Sequence, residues 1–272
     1  MLSVWETKDL QDLKAAVQWL EHPGWAIRLI NFLGAPIEAL IRVLPRPLSL
    51  MICWLTERAL GKSLELAINN LGKRAAPGSS LGTHRGLVML SGALGGFWGL
   101  PGLLIELPVS TVLMLRAIAA VAQKEGEDLE APEGRWACLE VFTLGGARSG
   151  DNAAETGYYA VRASLARLVA EAAEFLAGRG AVQEGAPLLI RLMTVVTSRF
   201  GVVVSEKALA EMIPLIGAVG GALINLLFVS HFQAMAGGHF IVRRLERKYG
   251  PEAVRREYQR LADSNRREST RQ

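Results

Sequence analysis

Two long segments of this chain carry no Asp, Glu, Lys or Arg, and both are dense in glycine. Gly86–Ile105 reads GLVMLSGALGGFWGLPGLLI, twenty residues, and Met212–Val242 runs thirty-one. Twenty helical residues span about 30 Å, enough to cross a hydrocarbon core. Thirty-one would span about 46 Å, too long for one crossing, while two halves of fifteen are too short to cross as a pair. The second segment therefore reads as a helical hairpin, either dipping into one leaflet or buried inside the protein. Gly92/Gly96, Gly95/Gly99 and Gly217/Gly221 are small residues four apart, each pair a flat strip where another backbone can approach. Glycine in a soluble helix costs about 0.5–1 kcal/mol relative to alanine, so close packing or a bend must offset it. Pro101 and Pro214 point to the bend.

The two segments resemble each other. Leu90–Gly96 reads LSGALGG and Leu215–Gly221 reads LIGAVGG, and each precedes a Lys-x-Gly helix stop, at Lys124-Glu125-Gly126 and Lys248-Tyr249-Gly250. The pattern suggests two related helical halves; the alternative is coincidence in a chain where glycine is 28 of 272 residues, about 10% against a usual 7%. Half the residues are hydrophobic, which excludes disorder. Two cysteines, Cys53 and Cys138, make no disulfide framework. Met1–Leu20 reads as an amphipathic helix start rather than a signal peptide, so a reducing cytoplasmic compartment is expected.

Elsewhere the period is helical, with no strand-like alternation. Helices are expected near 7–20, 25–43, 48–71, 106–123, 133–144, 151–177, 186–210 and 254–262. The expected fold is all-α: one compact multi-helix domain with two glycine-rich apolar hairpins. Residues 1–72 would form N-terminal amphipathic helices packed on the core, 84–262 the helical core, and 263–272 a disordered basic tail. The net charge of +4 is concentrated at the C-terminal end. Residues 243–272 hold ten basic and five acidic groups, leaving twenty and twenty-one for the rest. Arg243, Arg244, Arg247, Lys248, Arg255 and Arg256 follow an apolar segment, the pattern of a cytoplasmic cluster facing anionic lipid. The competing reading is a solvated helix face balanced by Glu246, Glu252 and Glu257. Nucleic acid is not expected as a partner, since no recognition module accompanies the basic run.

The chemistry-bearing candidates are polar groups set in apolar helices: Glu106, Arg116, Asn225, His231 and His239. Such groups are costly unless paired, which makes them candidate ligand-binding residues. Glu106 and Arg116 are ten residues apart and about 80° apart around a helix, so they are not expected to pair directly. Asn225 falls where Glu106 falls after the shared glycine motif, which would let the two meet between the halves. An internal hydrogen-bond clamp, a lipid or polar-ligand site, and a catalytic acid at Glu106 are the competing readings. No catalytic set emerges, and no cofactor or metal is expected. Gly78-Ser79-Ser80-Leu81-Gly82 matches G-x-S-x-G but lacks the preceding strand. Gly61-Lys62-Ser63 has Thr56 where a P-loop needs its first glycine. His231 and His239 are about 12 Å apart along a helix, too far to share a metal.

From Gly95 onward the sequence resembles the EcsC family of bacterial proteins. The residues that carry the likeness are Gly99-Leu-Pro-Gly-Leu-Leu-Ile-Glu106-Leu-Pro, Leu115-Arg116-Ala-Ile-Ala and Cys138-Leu-Glu140-Val-Phe. They continue with Lys207-Ala, the run Ile213 to Asn225, and Arg243-Arg-Leu-Glu-Arg-Lys-Tyr-Gly250. The resemblance spans residues 5–262 and implies an all-helical, membrane-associated protein of a family named for a neighbour of a secretion-linked ABC transporter. It transfers no catalytic residue. The resulting expectation is a non-enzymatic protein on the cytoplasmic side of the inner membrane, peripheral or partly inserted. It would bind lipid or a membrane partner such as a transporter, as an accessory to transport or secretion. The rivals are an enzyme acting on a lipid-like substrate and a soluble helical scaffold.

Overall fold

A computed structural model describes residues 5–21, 46–70, 100–144, 157–163, 165–166, 195–197, 199–205, 207–208 and 217–269. Six helices are complete within them: α1 (Thr7–Glu21), α2 (Arg46–Asn70), α3 (Leu100–Lys124), α4 (Pro132–Leu144), α5 (Gly217–Tyr249) and α6 (Pro251–Ser269). Further helical residues lie within 158–166 and 195–208. No strand occurs among the described residues, so the all-α expectation holds. The helix expected over 25–43, the junction between the N-terminal helices and the segment starting at 84, and most of the first glycine-rich segment lie outside the described residues.

The longest helix, α5, is the axis of the fold. It packs against α1, α3, α4 and α6, while α2 packs on α3 and α4. The buried residues form one cluster that includes Leu13 and Val17 of α1 as well as Ile52 and Leu55 of α2. Helices α1 and α2 therefore contribute to the same core as α5.

One expectation is corrected by α5 itself. Residues 217–242 continue as a single helix into the charged run and end only at Tyr249, so they do not fold back as a hairpin. The last proline before them, Pro214, precedes the helix, and glycines tolerated in a buried helix lower its propensity without turning the chain. What the glycines permit is visible at Gly237 and Gly238. A Cβ on Gly238 would stand 2.7 Å from Leu20 Cγ and 3.2 Å from the Ala16 carbonyl oxygen. One on Gly237 would stand 3.0 Å from Trp19 Cζ3. The backbone of α5 thus lies directly under α1, and any side chain there would push the two helices apart.

Helix ends follow the expected punctuation. Gly126 and Gly250 adopt positive φ, 75° and 85°, the left-handed cap that glycine takes without a Cβ penalty. After α3, the Glu127 N–H bonds the Ala122 carbonyl at 2.9 Å and Gly126 N–H the Gln123 carbonyl at 3.0 Å. Pro132 and Pro251 open α4 and α6 at positions whose N–H would be unbonded anyway. The last helix continues to Ser269, beyond the end expected at Ala262 and into the stretch expected to be disordered. Glu252 in its first turn and Arg266 and Arg267 in its last complement the helix dipole, and Arg266 reaches Glu21 of α1 at 3.5 Å.

Among the described residues one stretch, Glu106–Lys124 in α3, is long and apolar enough to cross a membrane by length and composition. About two thirds of it (67%) is buried inside the protein. Pro108 interrupts its ladder two residues into the stretch. The Ser110 and Thr111 hydroxyls, both fully buried, donate to the Leu107 carbonyl at 3.1 and 2.7 Å.

Candidate functional site

The polar residues of the interior fall into two clusters along α5, with an aromatic plug between them. The first joins three elements. Lys207, fully buried, donates to Glu106 Oε2 of α3 at 2.5 Å and to Asn225 Oδ1 of α5 at 2.9 Å. Its ammonium also sits 5.0 Å from the centre of the Phe228 ring, within cation–π range. Glu106 and Asn225 do meet, but through a lysine between them. Glu106 Oε1 has no hydrogen-bond partner among the described residues.

Lys207 was not among the candidates, although its sequence position carried a signal. Phe200, Val203, Val204 and Ala208 are all fully buried and fall at i, i+3, i+4 and i+8 of an amphipathic helix. Lys207 occupies i+7 of that same stripe. A lysine there must find an anion inside the protein.

The second cluster lies about four turns further along α5. His239 is fully buried, and its Nδ1 lies 2.9 Å from the Tyr158 hydroxyl. Arg162 Nη1 donates to Glu246 Oε1 at 2.7 Å and, more weakly, to the Tyr158 oxygen at 3.5 Å. The Tyr159 hydroxyl also donates to Glu246, at 3.2 Å. Glu140 of α4 brings its Oε2 to 3.8 Å from His239 Nε2, too far for a hydrogen bond, and Nε2 has no hydrogen-bond partner among the described residues. Burial governs the titration of all three. It pushes the Glu140 carboxyl up to about 7, holds His239 well below the ordinary imidazole range with Arg162 and Arg243 adding to the effect, and raises Tyr158. The 3.8 Å pair is thus not a salt bridge while the ring stays neutral.

Between the clusters Phe142, Phe200, Phe228 and Phe232 stack with ring centres 4.9–6.1 Å apart, an arrangement worth more than area burial alone. Cys138 beside them is fully buried and its thiol is raised by desolvation, so it is an inert core residue. His231 is buried on another side of α5, its ring edge-on to Phe232. Arg116 is exposed on α3 and belongs to neither cluster.

The basic residues after α5's apolar run do not stand free. Arg243 pairs with Glu127, and Arg247 reaches the same carboxylate at 2.6 Å. Arg244 contacts Asp12 at 2.6 Å and Glu125 at 3.2 Å. Lys248 bonds Glu6 at 2.6 Å and Asp9 at 2.8 Å, and the Tyr249 hydroxyl also donates to Asp9 at 2.8 Å. The Lys248 bond is the main cause that lowers the Asp9 carboxyl. This belt ties α1 and the α3–α4 turn to the end of α5. Of the six residues expected to face lipid, Arg247 and Lys248 are exposed within their ion pairs, and Arg255 and Arg256 on α6 are exposed too, with Arg255 over the Tyr159 ring at 5.7 Å.

A different surface is apolar and exposed. On α2, Leu50 is 71% and Trp54 53% exposed, one turn apart. Arg58 lies a further turn on, its guanidinium 5.5 Å from the Trp54 ring centre, and Lys62 follows on the same side.

No curated protein and no solved structure matches the chain. The EcsC protein family matches it over residues 38–245, which includes every member of the first cluster and Glu140, Tyr158, Arg162 and His239 of the second. On that match, across most of its length, the chain belongs to the EcsC family.

Proposed function

We propose that this protein is a non-enzymatic, membrane-associated binding protein that holds the cytoplasmic face of the inner membrane through the exposed end of α2. The observation that carries the reading is the order of side chains on that helix: Leu50, then Trp54, then Arg58 and Lys62, all exposed. An apolar end followed by cations is the order in which a bilayer presents acyl chains and then anionic headgroups. Tryptophan suits the boundary because its ring is apolar and its N–H polar. Exposed Arg255 and Arg256 on α6 would add attraction to anionic lipid.

The rest of the fold supports a peripheral attachment. The most apolar stretch, in α3, is mostly covered by protein, and the expected juxtamembrane cations are largely engaged by carboxylates of the same chain. The Glu106–Lys207–Asn225 cluster supports the non-enzymatic side, since its groups are turned on one another and buried as a clamp between helices. A transporter or secretion partner in the same membrane is part of this reading, with the protein as its accessory.

Co-sedimentation with vesicles of phosphatidylglycerol and phosphatidylcholine tests it. Full-length protein is expected to pellet with mixed vesicles and less with phosphatidylcholine alone. Burying a leucine and a tryptophan is worth about 1.5–3 kcal/mol each, so Leu50→Ser with Trp54→Ser should weaken partitioning at least about tenfold. Wild-type protein left in the supernatant, or a double variant that binds equally, overturns the proposal.

A further inference from the structure

Glu140 and His239 belong to no surface and to neither arm of the lipid reading. His239 has both ring nitrogens inside the protein: one bonded, one facing a carboxylate just out of reach. The tautomer follows from the neighbours. Arg162 can only donate, so the Tyr158 oxygen accepts from it and the Tyr158 O–H points at His239 Nδ1. Nδ1 is then the acceptor, and the neutral ring carries its proton on Nε2, aimed at Glu140 Oε2 across 3.8 Å.

The surroundings decide what Glu140 does. From the 158–166 helix it faces Tyr158 and Arg162; from α5 it faces His239, Arg243 and Glu246. Glu127 of the α3–α4 turn stands behind Arg243, and Glu21 of α1 and Tyr258 of α6 are bonded to each other beyond the Tyr158 ring. Both nearby arginines are already engaged, Arg162 by Glu246 and Arg243 by Glu127. Among the described residues no further cation faces Glu140. A carboxylate there can gain only the His239 Nε2–H, and to gain it α4 must close on α5.

We propose that Glu140 and His239 form a proton-operated latch between α4 and α5: protonated, the carboxyl stands off the ring; deprotonated, it accepts a hydrogen bond from His239 Nε2 and draws α4 inward. The proton leaves from the carboxyl oxygen to solvent, and the imidazole stays neutral throughout. Burial places the exchange about neutral pH, where small changes in acidity alter occupancy. The competition for Arg162 and Arg243 that follows reaches Glu246 and Glu127, so the latch communicates with the ion-pair belt that holds the end of α5.

The test is a pH titration of full-length protein by NMR, following the Glu140 side-chain carboxyl carbon, the His239 Nε2 resonance and the backbone amides of 136–143. In wild type all three are expected to move with one midpoint near 7, against the usual 4.5 for a glutamate, and Nε2 should show a strengthened hydrogen bond on the alkaline side. Glu140→Gln should hold the Nε2 and amide signals fixed over the same range. A Glu140 midpoint in the ordinary carboxylate range overturns the latch. So does an imidazolium forming on His239, or a Glu140 transition near 7 that leaves Nε2 unmoved. Wild-type spectra alone decide these outcomes, so the inference does not depend on the variant folding.

Discussion

The two polar clusters on α5 solve the same problem in opposite ways. In the first, a buried carboxylate is matched by a buried ammonium at 2.5 Å, with an amide and an aromatic face taking up the remaining field. In the second, no cation among the described residues is paired with the carboxyl, and burial is met by giving up charge: Glu140 is raised to about 7 and His239 is kept neutral. Charge compensation makes a fixed clamp, because separating the partners exposes each to a medium that cannot solvate it. Charge removal makes a group whose state follows the solution. Phe142, Phe200, Phe228 and Phe232 keep the two apart.

The contrast breaks most readily at the clamp. Lys207→Met leaves Glu106 without a cation in the core and is expected to lower the unfolding free energy by about 3–5 kcal/mol, read by chemical denaturation. Adding Glu106→Gln should recover most of that loss. A double variant as unstable as the single would mean that the pair is not acting as matched charges.

The second cluster should show itself in pH dependence. Glu140 binds its proton more tightly in the fold than when unfolded, so its contribution is full at low pH and is lost as pH rises from about 4.5 to about 7. His239 does the reverse: its lowered folded value gives stability that is present above 6.5 and lost as pH falls. Between about 4.5 and 6.5 each state of the pair holds close to one proton, and the two slopes nearly cancel. His239→Phe should uncover the Glu140 slope, a fall on the order of 3 kcal/mol from pH 4.5 to 7, seen as a midpoint shift in urea series at several pH values. A variant as flat as wild type would dissolve the distinction between the clusters.

Smaller changes sharpen it. Tyr158→Phe removes the donor to His239 Nδ1 and should cost about 1–2 kcal/mol. At the far end, Arg116→Ala should alter the thermal midpoint little, within about 0.5 kcal/mol, because the side chain is exposed and serves neither cluster.

How far the sequence anticipates this depends on distance along the chain. Helix positions and stops were legible because they are local: Gly126 and Gly250 take the positive φ that Lys-x-Gly implies. That Glu106 and Asn225 would meet followed from their matched positions beside similar glycine motifs. The lysine that joins them was visible only as a polar residue on an apolar stripe. Tyr158 and Arg162 gave less warning, since nothing near them announces a partner more than eighty residues away on α5. The basic run after Val242 hid its partners for the same reason. Its charge was plain, but Glu6, just before α1, and Asp9 and Asp12 of α1 lie over two hundred residues earlier and meet it only in three dimensions.

The glycine pair at 237 and 238 bears on how the chain is made. The groove it opens is the seat of α1, and the belt above that seat joins Asp9 to Lys248 across a sequence separation of 239 residues. Helix α1 leaves the ribosome early with Leu13, Val17 and Leu20 turned toward a surface that does not yet exist. Until α5 follows, those residues have no native cover, and contacts this distant in sequence form late. Helix α1, made well before its seat, is therefore among the last contacts to form, and a wait for α5 is built into the order of synthesis.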